Sequence, residues 1–192
     1  MLTAIAYDGK GTFVAIGSNG KGTIRTTDGV TWDGPYGPDC NTNASKGSNI
    51  RLGWSGLAYG NGTFVAVATN SPYVNYAYGP TTMRSTDVGI TWTCIKSADD
   101  SNSWSSVTYG SGMFVAVALG YKQKLTMRST DDGLTWKGFY AADANSGNSG
   151  STNTSRWWSV AYGNGMFAAV GERGDGVSWA GPRIMSHVDM FY

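Results

Sequence analysis

The sequence predicts an all-β fold built from repeated units, and three observations predict it. One segment recurs four times as two apolar strand-like runs around a Gly-rich turn. It runs IAYDGKGTFVAIG at 5–17, LAYGNGTFVAV at 57–67, VTYGSGMFVAV at 107–117 and VAYGNGMFAAVG at 160–171. Its tyrosines, Tyr7, Tyr59, Tyr109 and Tyr162, lie 52, 50 and 53 residues apart, the length of one four-stranded propeller blade. A second motif then follows in the same phase in three of the four copies.

In each first segment Gly and Asn supply the positive φ that a tight hairpin needs, so strands A and B of every unit are read from it. The second motif is RTTDGVTW at 25–32, RSTDVGITW at 84–92 and RSTDDGLTW at 128–136. These residues resemble the Asp-box, or BNR, repeat of sialidase-like β-propellers, whose pattern is roughly Ser-x-Asp-x-Gly-x-Thr-Trp. The first copy is one residue short between Asp28 and Trp32, and the fourth unit has only Met185–Asp189, without the Gly and the Trp. The resemblance implies a fold and not an activity.

A structural role is expected for Asp28, Gly29, Trp32, Asp87, Gly89, Trp92, Asp131, Gly133 and Trp136. The Asp accepts backbone N–H groups inside the turn, Gly takes the left-handed position and Trp covers the turn. Blade-by-blade recurrence favours this over ligand binding, and favours rim packing over an anion clamp for Arg25, Arg84 and Arg128.

The expectation is one domain over 1–192, a small β-propeller of four blades with four antiparallel strands each. The blades fall at about 2–36, 53–95, 104–140 and 157–192, the last ending with Val188–Tyr192. Closure is expected from side-chain packing between first and last blades, with half of a larger ring, completed by another copy, left open.

Because strand direction alternates, A–B turns and Asp-boxes share one face, while B–C loops and D–A connections share the other. The second face carries the long stretches 33–53, 69–80, 137–156 and 172–181, and 145–155 has linker composition. Candidate binding residues lie there: Tyr73, Asn75, Tyr76, Tyr78, Tyr121 and Trp179. Flat apolar rings beside Asn and Ser suit a sugar or a protein partner, and simple covering of the loop backbone competes with that reading.

Catalysis finds little support. Glu172 is the single glutamate, close to Arg173 and Asp175, and His187 is the single histidine. A solvated loop pair outweighs a two-carboxylate hydrolase, and no position matches the arginine cluster, tyrosine nucleophile or acid that the resemblance would bring. Cys40 and Cys94 lack metal-type spacing; free thiols are favoured over a bridge between neighbouring blades. No cofactor and no metal are expected.

With 14% charged residues and a net charge of +1, the chain offers no basic stripe for nucleic acid, and no apolar run approaches the roughly 20 residues of a membrane span. A surface of Ser, Thr, Asn, Gly and Tyr fits an outdoor protein, while the opening Met1–Asp8 lacks secretory features. The expected function is therefore a non-enzymatic binding or structural component of a phage or other virion, assembled in the cytoplasm and released by lysis. Its partners would be other virion proteins or a host-surface glycan, with a homo-oligomer left open. An extracellular or cell-surface glycan-binding lectin and a sialidase-like glycoside hydrolase are the competing readings.

Overall fold

A computed structural model describes residues 1–18, 22–37, 40, 53–69, 80–119, 124–140, 155–173 and 180–185. All regular structure among these residues is β. Each sequence repeat opens with a hairpin: β1 (Leu2–Tyr7) with β2 (Phe13–Gly17), β5 (Gly53–Gly60) with β6 (Thr63–Thr69), β9 (Ser103–Gly110) with β10 (Met113–Leu119), and β13 (Ser155–Gly163) with β14 (Met166–Arg173). In the last three the turns are Asn61-Gly62, Ser111-Gly112 and Asn164-Gly165, with φ of 47° and 78°, 47° and 75°, and 48° and 76°. Two successive positive φ values make the turn whose twist matches the flanking strands. The first hairpin has a longer turn, held by the Asp8 carboxylate, which accepts the Lys10 and Thr12 N–H groups at 2.7 and 2.9 Å.

Outer strands continue each hairpin: β3 (Thr23–Thr26) and β4 (Asp33–Tyr36), β7 (Thr82–Ser85) and β8 (Thr93–Ile95), β11 (Thr126–Ser129) and β12 (Lys137–Phe139), and β15 (Ala180–Met185). All pairing is antiparallel. Repeats 1 and 2 form separate four-stranded sheets, β1-β2-β3-β4 and β5-β6-β7-β8. Repeats 3 and 4 share one seven-stranded sheet because Leu119 at the end of β10 pairs with Arg156 at the start of β13.

The sheets stack through their inner strands, with β1 beside β5, β5 beside β9 and β9 beside β13. This stacking explains the continuous apolar run TFVAVA in β6. Phe64, Ala66 and Ala68 join Val14, Ile16, Trp54 and Met83 in one core, while Val65 and Val67 join Trp104, Val107 and Phe114 in the next. A strand buried on both faces needs no polar alternation.

Each interface repeats the same hydroxyl contact. Thr3 donates to the Trp54 carbonyl at 2.6 Å, Ser55 to Trp104 at 2.6 Å and Ser105 to Trp157 at 2.5 Å. The second and third also repeat one close approach: a Cβ on Gly60 would lie 2.0 Å from the Tyr109 ring, and one on Gly110 would lie 2.1 Å from the Tyr162 ring. Only glycine leaves room for the next repeat's tyrosine at these two positions.

One expectation is corrected. Cys40 and Cys94 are not free thiols; they form a disulfide across 54 residues that ties the β4–β5 connection to β8 of the next sheet. Stacking brings their Cα atoms to 5.6 Å, a separation that no local sequence signal announces. The phenylalanines that open the second strand of each repeat differ in burial. Phe64, Phe114 and Phe167 are fully buried, whereas Phe13 is 38% exposed. Among the described strands the stacking runs from β1 through β5 and β9 to β13.

Candidate functional site

The three Asp turns cap the C–D ends of repeats 1 to 3. Asp87 accepts the Thr91 N–H and hydroxyl at 2.8 and 2.6 Å, and Asp131 accepts those of Thr135 at 2.9 and 2.6 Å. Ser85 and Ser129 complete the loop by donating to the Asp and accepting the Gly89 or Gly133 N–H. In the first turn Asp28 accepts the Val30 and Thr31 N–H groups, both at 2.8 Å, and the Thr26 hydroxyl. A hydroxyl residue two positions before each Asp, Thr26, Ser85 or Ser129, thus belongs to the turn as much as the Asp does.

The arginines clasp neighbouring turns. Arg25 donates to the Val88 carbonyl and Arg84 to the Asp132 carbonyl, linking each turn to the next repeat's. Val88 and Asp132 sit at φ 53° and 57°, a left-handed conformation that is costly for the β-branched Val88. Asn61 in a hairpin turn also donates to Asp132, so hairpin turns and Asp turns do share one face.

Hydrogen bonds set the acidity of this face. The Val30 N–H, then the Thr31 N–H and the Thr26 hydroxyl, bring Asp28 to about 2. For Asp87 and Asp131 burial acts upward, but the Thr91 and Thr135 hydroxyls lead a set of donors that outweighs it and lowers both. A depressed folded-state pKa means stability that is complete above the ordinary carboxylate range and lost as the pH falls through the folded value. The melting temperature is therefore expected to fall as the pH drops from about 4 toward about 2, with a shallower decline in Asp28→Asn. Thermal unfolding at a series of acidic pH values checks this.

The opposite face is where the candidate binding residues were placed. Tyr73, Asn75, Tyr76, Tyr78, Tyr121 and Trp179 lie outside the described residues, as do Asp175 and His187. What is described is the base from which two of their loops spring. Asp100, in the connection between β8 and β9, accepts the Thr81 N–H and hydroxyl, both at 3.2 Å, and the Ser97 N–H and hydroxyl at 2.8 and 2.9 Å. The Trp104 indole donates to the Ser97 hydroxyl and the Asp99 carbonyl. Asn102, buried beside it, donates to the Lys124 carbonyl at 2.7 Å. Thr81 ends the β6–β7 loop and Lys124 ends the β10–β11 loop, so one connection pins the C-terminal roots of both. No sequence motif marks this cluster, whose polar residues have ordinary turn composition.

Glu172 lies within β14, not beyond it, and meets Arg156 across the hairpin at 3.4 Å with both side chains over a third exposed. Such a pair contributes about 0–1 kcal/mol. Among the described residues no group of His, Cys, Asp and Glu could hold a metal ion, and no helix is long and apolar enough to cross a membrane.

Antiparallel sheets stacked through their inner strands, with polar turns gathered at the two ends, define a propeller-like protein. Comparison with solved structures agrees. The chain is similar to "YCF48 bound to D1 peptide" (14% identity, TM-score 0.52, 94% of this chain and 54% of that one) and to "YCF48 from Cyanidioschyzon merolae" (20%, 0.56, 90% and 50%). It thus spans about half the length of either. A glycoside hydrolase structure, the GH43 BlXynB protein from Bacillus licheniformis, matches at 12% identity and TM-score 0.49 over 96% of this chain and 38% of that one. No protein-family model and no curated protein matches the chain.

Proposed function

We propose that the chain is a non-enzymatic recognition module of a phage or other virus particle, acting in virion assembly or host attachment through its long-loop face. In this reading the four repeats are four blades of four strands, the seven-stranded sheet is two blades joined at one residue pair, and the Asp turns are Asp-boxes. The observation that carries it is the Asp100 cluster. A buried-indole platform with convergent hydrogen bonds fixes the roots of the loops that bear Tyr73, Asn75, Tyr76, Tyr78 and Tyr121, and rigid roots under aromatic loops are how a scaffold presents a recognition surface. The disulfide and the low surface charge suit a particle exposed outside the reducing cytosol. A propeller-like neighbour described as bound to a peptide favours a protein surface as partner.

Tyr76→Ala and Trp179→Ala are each expected to weaken incorporation into particles, or adsorption to cells, by about 30-fold, equal to about 2 kcal/mol. Lys10→Ala on the Asp-turn face should leave both unchanged. Loss with Lys10→Ala alone would place recognition on the opposite face. Turnover of sialosides or bacterial surface polysaccharides that disappears in Glu172→Gln would make the chain a hydrolase.

A further inference from the structure

We infer that two copies of this chain associate head to tail, the outer face of repeat 1 on one copy packing against the outer face of repeat 4 on the other. The inference takes the blade reading above and is independent of any virion role. Its basis is that the three internal interfaces repeat one hydroxyl contact and one apolar packing pattern, and that the outer faces of repeats 1 and 4 expose the two complementary halves of that pattern.

The leading half of the joint is carried by equivalent residues of successive repeats. Leu57, Val107 and Val160 lean on the preceding repeat and are 6–8% exposed; their counterpart Ile5 is 57% exposed. Phe13 stands out from the other phenylalanines for the same reason. Tyr109 and Tyr162 cover a glycine of the repeat before them, whereas Tyr7 is half exposed and stacks on Phe13 of its own repeat at 4.6 Å.

The trailing half is exposed at the other end. Ile16, Val67 and Val117 are fully buried against the following repeat; Val170, which follows in the series, is 49% exposed. Gly60 and Gly110 lie beneath the next tyrosine, while a Cβ on Gly163 would meet nothing within 4 Å. Trp158 occupies the place from which Thr3, Ser55 and Ser105 reach across to the next repeat, and its indole is half exposed.

These halves are complementary by construction. Tyr7 of one copy seats on Gly163 of the other as Tyr162 seats on Gly110, and Ile5 and Phe13 meet Val170 as Val160 and Phe167 meet Val117. A face that each internal repeat presents to its own kind is best fitted by a second copy. Joints of this kind are heterologous, and two of them close a pair of chains into a ring. Two sets of four blades make eight, within the usual range of about four to eight.

Light scattering on a size-exclusion column reads the outcome. The chain is expected to elute at twice 20.3 kDa. Ile5→Asp and Val170→Asp should each elute at the single-chain mass with an unchanged far-UV spectrum, since both side chains are already half exposed in one copy. Leu134→Asp, an equally exposed apolar position on an internal Asp turn, should remain a dimer. Mixing Ile5→Asp with Val170→Asp leaves one intact joint and should restore the doubled mass in part, which either variant alone does not. A single-chain mass for the unaltered protein at all concentrations overturns the inference without touching the blade reading. So does a dimer that survives both substitutions, one that is lost with only one of them, or an unlimited polymer.

Discussion

Replacing Cys40 and Cys94 together by serine is expected to lower the unfolding free energy by about 4 kcal/mol, the chain-entropy value for a cross-link closing a loop of this size. The two cysteines are 54 residues apart in sequence, and Cys40 is buried in the core formed by Trp54, Phe64, Met83 and Trp92. The bridge therefore joins the connection leaving repeat 1 to the outermost strand of repeat 2, spanning the joint between two sheets. For a chain of this length about 4 kcal/mol corresponds to a melting temperature about 8–16 °C lower. Thermal unfolding with and without reductant measures it, and the double serine variant should be insensitive to reductant. An unaltered protein whose melting point ignores reductant, in the presence of enough denaturant to expose Cys40, would show that the bridge contributes nothing.

Trp104→Ala is expected to cost about 3–5 kcal/mol, and Trp32→Ala less than half of that. Trp104 is fully buried between repeats 2 and 3, and its indole N–H is one of the bonds that organise the Ser97–Asp100 connection. Removing it opens a cavity and leaves the roots of two loops with a missing donor. Trp32 occupies the same position in the first Asp turn that Trp92 holds in the second, yet it is 37% exposed while Trp92 is buried and donates to the Gly89 carbonyl. Trp92→Ala should accordingly resemble Trp104→Ala. Half-buried Trp136, whose indole N–H is buried without a partner, should fall between the extremes. Denaturant titration of the four variants gives the order directly; equal losses at Trp32 and Trp92 would mean that the preceding repeat does not matter to the turn.

The strands and turns were legible because the residues that form them are neighbours in sequence. Asn61-Gly62 and its two relatives specify a hairpin turn through their own φ values, and Asp87 and Asp131 bind N–H and hydroxyl groups four residues on. The candidate binding aromatics were legible only as composition in long loops. The Asp100 cluster beneath them was not legible, since Thr81, Ser97, Asn102 and Lys124 come from three segments that meet only when the sheets stack.

The sequence by itself determined that the chain is all β, where the repeats begin, and which residues close their turns. Each of those choices is made within about ten residues, at the scale where backbone preference and side-chain-to-backbone hydrogen bonds act. Only the tertiary structure decided that Cys40 meets Cys94, that repeats 3 and 4 share a sheet edge, and that Phe13, Ile5 and Trp32 are exposed while their equivalents are buried. The motif is the same in every copy, but burial depends on whether another repeat stands against it, and that is a property of position in the stack.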